Sequence, residues 1–419
     1  MDDTQLQPWL RKLEQMQPDR IELGLERIKK VAKACGLDKP DFRIVTVAGT
    51  NGKGSTVAYI NSMLRHNGYS IGVYTSPHFI DFSERIVIDS VPATSQQLCA
   101  AFDFIENARD DTALTYFEFT TLAAIYCFVQ QGVDIAVLEV GLGGRLDAVN
   151  AWDSEVACIT SIGLDHTDWL GDDLESIGRE KAGVARAGCA LVCGAKNPPQ
   201  SVIDKAAETG AELLLSGRHF GATTQESGSW GYYGPHGEMQ LQQPAMAGSW
   251  ARENASVAIC ACGCFLSRQV DKDTVQKALD EVVILGRMQQ LLFRGVNVLL
   301  DVAHNHDAAA RLGDYLESGS GKTRAVFGCM QDKDADAVVQ QLARSIDHWF
   351  IAEIDYPRAM PAIDLAGISG PRISSVFTSV ILAFEEAVAQ SDPGDRVVVF
   401  GSFHVVGPVL AYLDESRPV

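Results

Sequence analysis

Residues Ile44 to Thr56 read IVTVAGTNGKGST. Four β-branched residues, Ile44 to Val47, run into a glycine-spaced turn, and an apolar stretch of helical character follows from Val57 to Leu64. The order is strand, loop, helix. Such a loop wraps anionic oxygen with backbone N–H groups, and the following helix N-terminus adds partial positive charge. Lys53 is expected to reach the outer phosphates of a mononucleotide. The stretch is not a strict Walker A, because Val47 stands where that pattern needs glycine and Gly54 separates Lys53 from Ser55. A merely structural glycine turn is the alternative.

The chain has 419 residues, 46% hydrophobic and 21% charged, enough for two or three cores. A formal net charge of −19 argues against a nucleic-acid partner, since such proteins neutralise phosphates with basic surface. It leaves room for an anionic small substrate in a local basic pocket. The opening residues lack the apolar core of a signal peptide, and no stretch approaches a membrane span, so no membrane partner is expected. The ten cysteines lack the dense spacing of a small secreted scaffold, and a reduced, cytoplasmic protein is the simpler expectation.

Outward from the loop, residues 1–37 have a helical pattern, with Gly36 as its stop. A second strand is expected over 69–77, ending in the polar cluster Thr75, Ser76, Pro77 and His78. Helices are expected over 95–110 and 117–131, the latter closed by Gly132. DIAVLEV, 134–140, reads as a buried strand with Glu139 near its end, and the strand at 156–162 leads to Gly163, Asp165, His166, Thr167 and Asp168. A helix at 175–187 holds Arg179, Glu180 and Lys181, and a short strand follows at 189–194. Alternating strands and helices predict a mostly parallel sheet covered on both faces. From 216 to 250 the rhythm breaks into short glycine, aromatic and polar runs that suggest antiparallel hairpins, before helix returns at 254–266. Strand-like runs then recur at 296–302, 324–328, 348–354 and 396–403. The expected fold is α/β: a P-loop-type, mostly parallel sheet domain with a small β excursion over 1–288, and a second, Rossmann-like α/β domain over 289–419.

Several polar residues fall at strand ends, where open α/β sheets bind ligands. Glu139 beside a phosphate loop suggests a magnesium anchor, or else a cap on the next turn. Ser76 and His166 could converge with it, His166 as metal ligand or as a neutral hydrogen-bonding histidine. Lys181 could pair with Glu180, meet phosphate, or be carbamylated into an oxygen ligand. Asp301, His304, Asn305 and His306 follow one strand, and GSFHVVG, 401–407, offers either an anion contact or a tight turn. Cys260, Cys262 and Cys264 do not have zinc-knuckle spacing and read as small buried helix residues. Asp307 and the acids at 332–336 read as solvent-facing.

Taken together, these motifs resemble the folylpolyglutamate synthase family, and within it the bacterial bifunctional dihydrofolate synthase/folylpolyglutamate synthases. The resemblance rests on LGLERI at 23–28, VAGTNGKGST at 47–56, TSPH at 75–78, SERI at 83–86 and TYFEFTT at 115–121. It continues through LEVGLGGRLDAVN at 138–150, GLDHTDWLG at 163–171, REKAGV at 179–184 and RENA at 252–255. GRMQ at 286–289, DVAHN at 301–305 and GSFHVVG at 401–407 complete it, so almost the whole chain is covered in order. The wider relatives are the amino-acid-adding Mur ligases.

The resemblance implies ATP-dependent ligation of L-glutamate to dihydropteroate, giving dihydrofolate, and to the γ-carboxylate of reduced folates, through an acyl phosphate. Gly49, Thr50, Asn51, Gly52, Lys53, Gly54 and Ser55 would hold the triphosphate of ATP, with Asn254, Arg287 and Asp301 as further nucleotide contacts. Ser55, Ser76, Glu139 and His166 would meet Mg²⁺ at two sites, aided by an N6-carboxylysine at Lys181. Thr115, Phe117, Asp147 and Ala148 would form the pterin end. His304 would lie near the γ-phosphate and the incoming glutamate, with Ser402 and His404 lining the latter's site. The implied catalytic set is Lys53, His166, Lys181 and His304, on a monomer. Two departures stand out: Leu285 and His306 occupy positions where the family often has proline. A monofunctional folylpolyglutamate synthase, a Mur-like ligase and an inactive nucleotide-binding regulator are the alternatives.

Overall fold

Strand β1 (Arg43–Ala48) and the Lys53–His66 helix enclose the four-residue loop 49–52, as the opening stretch predicts. The computed structural model describes residues 5–15, 22–224, 228–317, 321–369 and 373–416. β1 alternates its apolar side chains between two layers. Val45 and Val47 pack with Val57 and Ile60 of the following helix and with Val257 of the Ser249–Leu266 helix. Ile44 and Ala48 face the opposite layer, with Leu98 and Phe102 of the Ser95–Ala108 helix and Phe119 and Leu122 of the Tyr116–Gln131 helix. This two-sided burial is what a near-continuous apolar strand requires.

The remaining strands of this sheet are β2 (Ile71–Tyr74), β3 (Ile86–Ile88), β4 (Val91–Pro92), β5 (Ile135–Glu139), β6 (Val156–Ile159), β7 (Ala190–Cys193) and β8 (Glu212–Leu215). Their order is β4-β3-β2-β5-β1-β6-β7-β8, with β3 antiparallel to β2 and to β4. β1 runs parallel to both of its neighbours, and Val47 sits opposite Glu139 on one side and Cys158 on the other. That register brings the acid of β5 and the loop after β6 to the two flanks of the phosphate loop. β9 (Gly221–Thr224), β10 (Ser229–Gly234) and β11 (Gly237–Gln242) form the expected antiparallel excursion.

The C-terminal domain is built on β12 (Gln289–Phe293), β13 (Val296–Leu300), β14 (Thr323–Phe327), β15 (His348–Ala352), β16 (Ile373–Phe377) and β17 (Arg396–Phe400). The order is β12-β13-β17-β14-β15-β16, and β12 alone is antiparallel to its neighbour. The loops after β13, β17, β14 and β15 therefore open on one edge, the edge where such sheets hold ligands. Both domains are α/β with parallel-rich sheets.

Some expected bounds move. The helical pattern over 1–37 resolves into Leu6–Gln15 and Glu26–Ala34, with residues 1–4 and 16–21 outside the described residues. Residues 22–25 are not helical, and Gly24 has φ 156°, a backbone open to glycine. The second strand shrinks to Ile71–Tyr74. The Gln200–Thr209 and Lys272–Glu281 helices and the strands β8, β12 and β16 are additions to the sequence reading. Cys260 and Cys262 are buried on the Ser249–Leu266 helix, while Cys264 is half-buried there.

Candidate active site

The phosphate loop is shaped by positive-φ glycines and by the segment after β6. Gly49 has φ 148°, and a Cβ there would overlap Thr160 Oγ1. Gly52 has φ 88° and presses on the Asn254 amide, leaving no room for a Cβ. Thr160 Oγ1 donates to Asn51 O at 2.6 Å, Ser161 Oγ accepts from Asn51 N at 2.9 Å, and Thr50 Oγ1 donates to Gly163 O at 3.1 Å. Lys53 Nζ donates to the carbonyls of Gly49 and Thr50 at 3.0 and 3.1 Å. Burial lowers the Lys53 pKa, opposed by the Glu139 and Asp165 charges. Asn254 is buried, and its Nδ2 lacks a partner among the described residues. An orphan donor beside a loop of this geometry fits a bound anion.

Glu139 is buried and accepts from Ser76 N at 3.2 Å. Burial raises its pKa, against the pull of Lys53. Ser55, also buried, lies in the first turn of the helix that Lys53 begins. Among the described residues no three His, Cys, Asp or Glu side chains form a metal-ligand group. The expected metal set includes only two side chains of those types, Glu139 and His166. Hydroxyls of Ser55 and Ser76 and a modified Lys181 would have to complete it. A carboxylate and hydroxyls are the hard oxygen donors that Mg²⁺ takes, and Glu139 is buried with the Ser76 backbone N–H at 3.2 Å.

His166 has φ 52°, and its ring is turned toward the C-terminal domain. Nε2 lies 3.4 Å from Lys333 Nζ, and Nδ1 lies 4.0 Å from Asp332 Oδ2. Burial, with the Lys333 charge added, lowers His166 to about 4 and keeps it neutral. Lys181 is buried on the Leu174–Ala182 helix. Of the alternatives open to Lys181, a pair with Glu180 is not formed, and Glu180 instead binds Arg145 at 2.8 Å. Burial, then the Lys53 charge, lowers Lys181 to about 7.

Two residues that the sequence reading gave no role join the halves of this site. Asp165 Oδ1 accepts from Lys333 Nζ at 2.7 Å, and Oδ2 lies 3.3 Å from Asn305 Nδ2 and 3.5 Å from His304 Nε2. Burial alone would raise Asp165, but the His304 hydrogen bond and the Lys333 charge hold it well below the usual carboxylate range. Asn51 and Asn305 exchange amide hydrogen bonds at 3.2 Å across the same boundary. Lys333 was hidden among Asp332, Asp334 and Asp336, which are exposed as expected. The signal that could have found it is positional, because its loop follows β14 as the DVAHN loop follows β13.

Other expected contacts fall around this joint. His304 Nδ1 bonds Val302 O at 2.7 Å. Asp301 is buried, and its oxygens accept from Met288 N and Ala303 N, each at 2.8 Å. Arg287 lies over the Phe403 ring at 5.4 Å and feels the Asp301 and Glu139 carboxylates. Ser402 Oγ accepts from His404 N at 3.1 Å, and His404 is exposed. His306 opens the His306–Glu317 helix and is exposed. The first helical position suits proline because its N–H is unused, so histidine costs little there.

Among the residues expected at a pterin site, the Phe117 ring lies against Gly141 and at 5.7 Å from the Tyr74 ring. Asp147 is buried and accepts from Leu142 N at 2.8 Å and Val149 N at 3.0 Å, and burial raises it to about 7. Phe117 and Asp147 thus meet on the Gly141–Leu142 turn. Thr115 instead caps the Tyr116–Gln131 helix, accepting from Glu118 N at 3.2 Å, while Ala148 is buried.

Comparison with known proteins gives the family. Residues 47–262 match the Mur ligase middle domain, and residues 286–403 match the Mur ligase, glutamate ligase domain. The chain is 38% identical over 415 residues to the dihydrofolate synthase/folylpolyglutamate synthase of Escherichia coli (strain K12), covering 98% of this chain and 96% of that protein. It superposes on E.coli FolC in complex with DHPP and ADP at a TM-score of 0.93 and 38% identity, covering 99% of this chain and 98% of the other. A bifunctional folylpolyglutamate synthase/dihydrofolate synthase with Mn, AMPPNP and L-glutamate bound superposes at 0.89 and 40% identity, with 98% of each chain covered. With the phosphate loop, the strand-end acid and the joint between the domains all in place, this chain belongs to the dihydrofolate synthase/folylpolyglutamate synthase family of ATP-dependent ligases.

Proposed function

We propose that the cleft between the two domains joins L-glutamate to dihydropteroate and to the γ-carboxylate of reduced folates at the expense of ATP. The observation that carries this is the joint itself. Asn51 of the phosphate loop meets Asn305, and Asp165 holds His304 and Lys333, so Lys53 and His304 serve one cleft. Relatives solved with ADP and DHPP, and with Mn, AMPPNP and L-glutamate, support the same ligands here.

Chemically, a carboxylate is a poor electrophile, and phosphorylation turns its oxygen into a leaving group. The acceptor carboxylate attacks the γ-phosphorus of ATP and ADP departs. The glutamate amine then attacks the acyl carbon, and phosphate leaves from the tetrahedral intermediate. Loop N–H groups and Lys53 bind the triphosphate, with Asn254, Arg287 and Asp301 on its nucleotide side. His304 donates Nδ1–H to Val302 O and turns Nε2 toward Asp165 Oδ2 at 3.5 Å, which fixes the ring on the side of the cleft where the glutamate amine enters; the amine proton leaves with the phosphate. Ser402 and His404 line the glutamate side.

Ser55, Ser76, Glu139, His166 and carbamylated Lys181 are the residues that would hold Mg²⁺ at two sites, where it would neutralise phosphate charge. Lys181 supports its part in this through burial. An amine lowered to about 7 is substantially neutral near pH 7 and can add CO₂, forming the N–C bond of a carbamate and releasing a proton. Phe117 supplies a face for the pterin ring and Asp147 an acceptor for its N–H groups, flanked by Thr115 and Ala148. Division into residues 1–288 and 289–419 agrees with the separate sheets, and a monomer suffices because one chain supplies both sides of the cleft. Among the described residues no helix is long and apolar enough to cross a membrane, in keeping with the cytoplasmic location proposed.

A monofunctional folylpolyglutamate synthase is the second reading, favoured by the use of Thr115 and Asp147 oxygens on backbone amides. The test is ADP formation with Mg²⁺ and L-glutamate, run with dihydropteroate and with tetrahydrofolate. Turnover with each, and a mass gain of one glutamyl unit, is the expected result. Turnover with tetrahydrofolate alone selects the second reading, and turnover with neither overturns both.

A further inference from the structure

The loop after β15 ends in a cation that the mechanism above does not use. Arg358 is exposed and pairs with no carboxylate among the described residues, in a chain of net charge −19. Acids are abundant enough here that an unpaired guanidinium beside the site calls for a ligand. Its guanidinium carbon lies 5.7 Å from the centre of the Tyr356 ring. That ring stacks on His404 at 4.1 Å with an interplanar angle of 24°. Desolvation, with the Arg358 charge added, lowers His404 below the usual histidine range. The permanent cation of this cluster is Arg358.

The frame around it is fixed. Arg358 O accepts from Gln331 N at 3.0 Å, Ala359 O accepts from Gln331 Nε2 at 3.0 Å, and Cys329 O accepts from Met360 N at 2.9 Å. These bonds tie the β15 loop to the β14 loop, which also carries Lys333. β15 and β14 are neighbours, β17 lies beside β14, and β13 lies beside β17. Across this edge the side chains run from His304, through Ser402 and His404, to Arg358.

We infer that Arg358 is a specificity-determining residue that takes the side-chain carboxylate of the incoming L-glutamate, with Tyr356 as its supporting plate. The inference rests on the proposed glutamate ligation. It assigns the amine end to His304 and the distal carboxylate to the Arg358 end of the same edge. A planar guanidinium recognises a carboxylate through two parallel N–H bonds, which neither a neutral amide nor a shorter acid reproduces. The acceptor's own acid is a weaker candidate, because the residues proposed for the acceptor, Phe117 and Asp147, lie in the N-terminal domain.

The experiment measures steady-state kinetics of Arg358→Gln and Arg358→Lys in the full chain, varying L-glutamate, ATP and dihydropteroate separately. For Arg358→Gln the expected result is a KM for L-glutamate raised about tenfold to a hundredfold, the cost of losing a charge-assisted pair. The KM values for ATP and acceptor should stay within about twofold, and preference for L-glutamate over L-glutamine should fall by a similar factor. Arg358→Lys should lie between, having the charge without the fork. Calorimetric titration of L-glutamate into protein with Mg²⁺ and AMPPNP reads the same loss without turnover. A KM for L-glutamate within about twofold of wild type in Arg358→Gln, with the wild type fully glutamate-dependent, overturns the inference and leaves the ligase reading standing. A wild type with neither glutamate-dependent turnover nor glutamate binding overturns the ligase reading, and the inference falls with it.

Discussion

Lys53 and Lys181 are cations drawn out of water, and each gives a test at the level of a single side chain. Lys53→Ala removes the ammonium that loop carbonyls hold at 3.0 and 3.1 Å. Its kcat should fall about 10²–10³-fold, as when a preorganised charge is deleted, while circular dichroism and thermal midpoint stay near wild type. Lys181 has its pKa lowered from 10.5 to about 7 in the fold. Between those values the unfolded chain binds more protons, so unfolding free energy should rise with pH from about 7 to about 10.5. Lys181→Met should flatten that rise in denaturant titrations at several pH values. Turnover by the wild type should respond to bicarbonate, and active protein should carry the mass of a carbamate. Bare lysine in active protein with no bicarbonate response would remove that modification.

The Tyr116–Gln131 helix carries both a capping box and Phe117, the ring proposed to face the pterin. Thr115 and Glu118 form a reciprocal capping box at its start, and Glu118 also meets Arg27 at 3.2 Å. Thr115→Ala should cost about 1 kcal/mol, and Thr115→Ser should restore most of it in chemical denaturation. A raised KM for dihydropteroate in Thr115→Ala without loss of stability would instead make the hydroxyl a substrate contact. This helix, like β1 and β5, was legible because apolar spacing and punctuation agreed: Thr115 opens it and Gly132, at φ 63°, closes it. The Gln200–Thr209 helix also ends on a left-handed glycine, Gly210, but its polar composition weakened the pattern. β12 and β16 are short edge strands, and an edge strand needs little apolar alternation to persist. In the site, residues on the phosphate loop could be read from local order. Asp165 and Lys333 could not, because their roles arise from contact across 168 positions of chain.

At the scale of the molecule, the largely shielded Asp165–Lys333 pair is a mechanical link between the domains. Removing either charge leaves the other desolvated, so Asp165→Asn and Lys333→Met should each lower kcat/KM by about tenfold or more. The double variant should be no worse than the poorer single one, and a double-mutant cycle that shows simple additivity would deny the link.

The position of β17 has a consequence for how the protein is made. Arg396–Phe400 is the last strand of the C-terminal sheet to leave the ribosome, yet it lies between β13 and β14. Until it arrives, those two strands face a gap, and each presents an unpaired edge to any chain nearby. Ser402 and His404 arrive with it, so the edge of the cleft proposed for glutamate is completed by the same insertion that seals the sheet. Synthesis that stalls before Arg396 leaves the C-terminal sheet open between β13 and β14. Completion of the enzyme's chemistry and its escape from aggregation are therefore one event in its biosynthesis.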